Sequence, residues 1–233
     1  MSIRVLAGRL RPALRETAMW LVALLVFQVG VVQGYVVPTG SMERTILPGE
    51  LVVADKVTLG PRTPQWIGIP WTKVGFHVPA LKLPGIRSVH RGDIVMVEVP
   101  VEPAIPYVKR VVALGGETVE LRDKRLFVNG EAIEEAWAVH GDGRLFPRGS
   151  KHAGLLDGMG NRDNWGPFLV PAGEVFLMGD NRDYSADSRY FGAVPEGNII
   201  GRARPVAFSY DAEMAAQTPW KAVRLDRLGT VLH

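Results

Sequence analysis

Asp93-Ile-Val-Met-Val-Glu-Val99 and Tyr107-Val-Lys-Arg-Val-Val-Ala-Leu114, the second closed by Gly115-Gly116, decide how this chain folds. The first is an almost unbroken run of β-forming residues, the pattern of a strand covered on both faces. Outward from this pair, similar short runs recur. Leu51-Val-Val-Ala54 follows a Pro48-Gly49 turn, and a polar turn separates Thr118-Val-Glu-Leu121 from Arg125-Leu-Phe-Val128. Asn129-Gly130 signals a hairpin into Glu131-Ala-Ile133, because Asn and Gly tolerate the backbone of a tight turn. Glu174-Val-Phe-Leu-Met178 and the run from Ile199 to Tyr210 complete the set. Helical periodicity is weak outside the N-terminus. The 26 glycines and 17 prolines among 233 residues favour short strands and many turns. The expectation is a mainly β fold, an antiparallel barrel or sandwich.

With 47% apolar or aromatic residues, one sizeable domain or two small ones can be built. The net charge of +3 is spread along the chain, which argues against a nucleic-acid binder. The absence of cysteine excludes disulfides, thiolate metal sites and cysteine nucleophiles.

Ala18–Val37 reads AMWLVALLVFQVGVVQGYVV without a formal charge. Twenty helical residues span about 30 Å, the hydrocarbon thickness of a bilayer. Arg4, Arg9, Arg11 and Arg15 precede it against one acid, Glu16, which places the N-terminus in the cytoplasm and the rest outside. A buried core helix and a cleaved secretory signal, with Val32-Gln33-Gly34 at the cut, are the competing readings. The apolar run continues past that cut, which favours an uncleaved single-pass anchor. The expected organisation is a basic cytoplasmic segment over 1–17, an anchor over 18–37 and a β-rich extracytoplasmic domain over 38–233. Within that domain, 57–90 is rich in Pro and Trp, either a loop packing its aromatics inward or a membrane-facing flap. Residues 140–164, rich in Gly, Asp and Arg, read as a surface excursion.

Ser41 follows Pro38-Thr39-Gly40 just beyond the apolar segment, where a nucleophile would meet a peptide bond presented at the membrane surface. A serine needs a base. None of the five histidines lies in a catalytic motif, and neither G-x-S-x-G nor H-E-x-x-H occurs. Lysine, with an ordinary pKa near 10.4, serves as a base only where burial disfavours its ammonium. Lys109, within the apolar run 107–114, fits that requirement best, although alternation on a strand is equally consistent with its facing solvent.

Pro38-Thr-Gly-Ser-Met42, Arg91-Gly-Asp-Ile-Val95, Tyr107-Val-Lys-Arg110 and Gly179-Asp-Asn-Arg-Asp-Tyr-Ser-Ala-Asp-Ser-Arg-Tyr190 resemble, in order, the sequence boxes of type I signal peptidases. Asp163-Asn-Trp-Gly-Pro167 adds to the likeness. The resemblance implies an N-terminal transmembrane helix followed by a catalytic β-domain of signal-peptidase type. It implies a membrane serine protease that removes signal peptides from secretory preproteins by a Ser41/Lys109 dyad. The oxyanion donors would be the Ser41 N–H and the Thr39 hydroxyl, where the family more often has serine. Ser185 would hydrogen-bond the lysine, and the pairs Asp187–Arg189 and Asp180–Arg110 would brace the site. Tyr35, Val37, Pro38, Met42, Ile46, Val52, Tyr107 and Val108 would form shallow pockets for a small-x-small ending, with the substrate added as a strand. The partners implied are preproteins and membrane lipid, with no nucleic acid, cofactor or metal. A narrower Ser/Lys enzyme, such as a conjugation pilin maturation peptidase, and a non-enzymatic tethered peptide-binding β-domain are the alternatives.

Overall fold

The computed structural model describes residues 15–20, 23, 30–62, 66–68, 75–77, 81–101, 105–150, 152–218 and 221–233. Its strands are, in chain order, β1 (Val32–Val37), β2 (Glu50–Asp55), β3 (Trp66–Gly68), β4 (Gly75–His77), β5 (Ile94–Glu98), β6 (Pro106–Leu114), β7 (Thr118–Arg122), β8 (Arg125–Val128), β9 (Glu131–Ala132), β10 (Trp165–Leu169), β11 (Glu174–Met178), β12 (Val194–Pro195) and β13 (Ile199–Ser209). A seven-stranded sheet runs β1-β2-β13-β5-β6-β11-β12, a four-stranded sheet runs β10-β7-β8-β9, and β3-β4 is a separate ribbon. All neighbouring strands pair antiparallel. The fold is therefore mainly β, and each of the two larger sheets keeps open edges among the described residues.

The unbroken apolar run of β5 has a direct cause. Ile94 and Met96 face one core cluster with Val52, Val108 and Ile200, while Val95 and Val97 face another with Val111, Leu177 and Ile199. A strand between two cores has no face left for polar residues. The longer β6 also reaches a third cluster. There Val112 and Ala113 meet Val119, Leu121, Leu126 and Trp165 of the smaller sheet, so the two sheets pack face to face. Trp165, Phe168 and Phe176 bring their ring centroids within 5.1–5.7 Å of one another. Asn129 and Gly130 both adopt positive φ, 54° and 83°, as a two-residue turn between β8 and β9 demands.

Two expectations change. The stretch Val32–Val37, read as the end of the apolar helix, is an edge strand that pairs with β2 from Val32↔Asp55 to Val37↔Glu50. Its valines and Tyr35 are strong β formers, and β2 offers a free edge. Arg15–Trp20 is helical, residues 21, 22 and 24–29 lie outside the described residues, and no helix of the described residues is long and apolar enough to cross a membrane. The side chains of 63–80, which carry most of the Pro/Trp-rich region, also lie outside the described residues.

The second change concerns 140–164. Asp142, Asn161, Arg162, Asp163 and Asn164 are buried. Arg162 pairs with Asp142 at 3.1 Å, Asp163 at 2.9 Å and Asp183 at 3.3 Å. A surface-like composition here belongs to a network of charges that neutralise one another out of solvent.

Candidate active site

β1 ends at Val37, and the chain turns through Pro38 and extended Thr39 (φ −124°, ψ 156°) into a single 3-10 turn, Gly40–Met42. That turn buries Ser41 to 8% exposure. Lys109 projects from the middle of β6, opposite Val95 of β5, and is 3% exposed. Its Nζ donates to Ser41 Oγ at 2.9 Å and to the Val108 carbonyl at 3.0 Å. Burial pushes the Lys109 ammonium from its ordinary 10.5 down to about 8, although the carboxylates of Asp187 and Asp180 pull in the opposite direction. Lysine and serine thus meet across 68 positions of sequence.

The 179–189 loop closes the back of the site. Asn181 N–H donates to the Ser41 carbonyl at 3.1 Å, and Asn181 Nδ2 donates to Gly40 O at 3.2 Å and Glu43 Oε2 at 3.0 Å. The loop approaches the nucleophile so closely that a Cβ on Gly179 would stand 2.3 Å from Ser185 Oγ and 2.4 Å from Ser41 O, so only glycine fits. Asp180 takes both Arg110 Nε at 2.8 Å and a terminal Arg110 nitrogen at 2.7 Å, and also accepts from Thr45 Oγ1. Asp187 takes Arg189 at 2.9 and 2.8 Å, accepts from Gly179 N–H at 3.2 Å and caps the short helix Ser188–Phe191. These four charged side chains are all within 1% of full burial. Both pairs are bidentate, the geometry in which a buried ion pair holds its partners most firmly.

Ser185 departs from its expected role. It is buried against Gly179, and its Oγ has no hydrogen-bond partner among the described residues. The lysine nitrogen is held by Ser41 and Val108 instead.

A cleft of about 600 Å³ opens over Ser41 and Lys109. Thr39 lines it, and the Thr39 side chain makes no capping bond to the turn that follows. Val37, Pro38, Tyr107 and Val108 line it. Met42, Ile46 and Val52 do not, because each is 0% exposed within the core, and Tyr35 packs on the same cluster. Residue type could not separate these, since an apolar residue near a nucleophile suits a pocket and a core equally well. The lining also includes Met96, Ile105, Asn181, Tyr184, Ala186 and Glu43. Asn181, Tyr184 and Ala186 belong to the last sequence box, and Met96 is the β5 partner of Val108.

The backbone around the cleft has unused pairing capacity. Among the described residues, β1 pairs only with β2. β11 first meets β6 at Arg110, so Pro106–Lys109 pair with β5 on one side only among the described residues.

The signal peptidase, peptidase S26 family model matches residues 10–208. The signal peptidase I of Pseudomonas aeruginosa is 33% identical over 216 residues, 84% of this chain and 72% of that protein. That of Rickettsia bellii is 32% identical over 210 residues, covering 81% and 70%. A crystal structure of a signal peptidase I from Enterococcus faecalis aligns with 51% of this chain and 98% of its own, at 29% identity and a TM-score of 0.38. The chain therefore belongs to the signal peptidase family, peptidase S26, and is a serine protease that hydrolyses peptide bonds.

Proposed function

We propose that the chain removes signal peptides from secretory preproteins, with Ser41 as nucleophile and Lys109 as general base. The observation that carries this reading is the 2.9 Å contact between Lys109 Nζ and Ser41 Oγ, made by a lysine that is almost wholly buried. With a pKa of about 8, roughly one lysine in ten is neutral at pH 7, against about one in three thousand at the ordinary 10.5.

Neutral Lys109 takes the Ser41 proton as Oγ attacks the scissile carbonyl. The oxyanion is met by the Ser41 N–H and the Thr39 hydroxyl. The C–N bond then breaks, Lys109 returns its proton to the leaving amine, and the signal peptide is left as an ester on Ser41. Water, deprotonated by Lys109, attacks that ester, and the proton returns to Ser41 as the peptide leaves. Asp180–Arg110 and Asp187–Arg189 hold the loop that fixes both groups, and Ser185 packs in that loop as a positioning residue.

The open edges of β1 and of the first half of β6 suit an extended substrate added as a strand. Met96, Val108 and Ala186 leave shallow room that suits a small-x-small ending. The basic residues of 1–17 lie in the cytoplasm, the apolar segment from Ala18 to the start of β1 anchors the chain, and the β-domain stands outside, in contact with lipid where it cuts.

The test is co-expression with a secretory preprotein and detection of the cut by mass. Ser41→Ala and Lys109→Ala should each leave the precursor intact, and undiminished processing by either overturns the dyad. Cleavage of several unrelated preproteins, rather than of one pilin precursor alone, separates a general peptidase from a narrow one.

A further inference from the structure

The cleft carries one charge that the dyad does not use. Glu43 follows the nucleophile by two residues and lines the cleft. Its Oε2 accepts from Asn181 Nδ2 at 3.0 Å and lies 3.6 Å from where a Cβ on Gly40 would stand, so the carboxylate runs beside the residue next to Ser41. Glu43 is exposed and enters no ion pair among the described residues. The other formally charged residue of the lining is Lys109, which is buried and bonded to Ser41, whereas Glu43 reaches solvent. The carboxylates behind the cleft, Asp180 and Asp187, are each matched by an arginine. Among the described residues of the lining, Glu43 is therefore the exposed negative charge beside the reacting bond.

We infer that Glu43 is a specificity-determining residue, favouring substrates with a basic residue near the cleaved bond and rejecting those with an acidic one. This rests on Ser41 being the nucleophile. A charge on the substrate that passes within about 6 Å of Glu43, in a half-solvated cleft, changes kcat/KM about tenfold in either direction. Rejection of the wrong charge is the stronger part of such selectivity, because a like-charged substrate residue must also leave water. The hydrogen bond to Asn181 gives Glu43 a structural role as well. Glu43→Gln keeps that acceptor and removes the charge, which separates the two roles.

The experiment uses the full chain in detergent and a set of signal-derived peptides. They keep the small residue just before the cleaved bond and differ only in Lys, Gln or Glu at the second position before it or at the first or second position after it. The parent should cleave Lys peptides at least tenfold faster than Glu peptides at one or more positions, with the ratio shrinking as salt is added. Glu43→Gln should bring that ratio close to one, and Glu43→Lys should invert it. A parental ratio near one at every position overturns the inference, as does an unchanged ratio in Glu43→Gln. Cleavage of the Gln peptide by the parent and its loss in Ser41→Ala report on the nucleophile separately from the ratio.

Discussion

Replacing Lys109 by Met should abolish cleavage and make the protein more stable at neutral pH. The folded-state pKa of about 8 lies below the ordinary 10.5, so the folded chain binds fewer protons than the unfolded chain between these values. Stability therefore rises with pH through that window, and the cost of burying the ammonium is fully present below pH 8. At ~1.4 kcal/mol per pH unit, the gap from 8 to 10.5 corresponds to about 3 kcal/mol. Methionine keeps an unbranched apolar side chain of similar reach and carries no charge. It forfeits the hydrogen bonds to Ser41 Oγ and Val108 O, about 1 kcal/mol each. The expected balance is a gain of about 1 kcal/mol at pH 7, turning into a loss near pH 10.5. The assay is urea unfolding of parent and variant at several values from pH 7 to 10.5, because groups common to both cancel in the difference. A parent–variant difference independent of pH refutes the buried-lysine argument, as does a Met variant several kcal/mol less stable at pH 7.

Three further outcomes follow from the same geometry. Thr39→Val should lower kcat by about 10²–10³, the usual cost of one oxyanion donor, while Thr39→Ser stays near the parent; equal rates for the two variants would remove Thr39 from the chemistry. Gly179→Ala should cost both activity and stability, since its methyl would meet Ser185 Oγ at 2.3 Å and the Ser41 carbonyl at 2.4 Å; an active variant with the parent's melting temperature would contradict that packing. Asp187→Ala leaves the fully buried Arg189 without its carboxylate and should destabilise by about 3–5 kcal/mol, measured by denaturant unfolding, whereas a surface pair would cost under about 1 kcal/mol.

Much of the strand framework was legible along the chain because its signals are local. The run at 94–97 lacks polar residues because β5 has a core on each face, and Asn129-Gly130 supplies the two positive φ values of its turn. The resemblance of the boxes around Ser41, Lys109 and 179–190 singled out the residues that the fold then gathers. β1 was missed because valine and tyrosine suit an apolar helix by hydropathy and a strand by shape, and only the free edge of β2 selects between them.

What the sequence determined by itself is most of the strands around the site, the turn chemistry and the residue types available for acyl transfer, all of which depend on neighbours a few positions away. Only the tertiary structure decided the rest. Whether Lys109 faces solvent or core is ambiguous on a single strand and is settled by β5 and the Ser41 turn closing over it. Met42, Ile46 and Val52 went to the core and Ile105 and Ala186 to the cleft, although all five are apolar or small. The charges of 142–163 were buried because their partners arrive from elsewhere in the chain, Asp183 among them. Burial and pairing are relations between distant segments, and they set both the basicity of the lysine and the shape of the cleft.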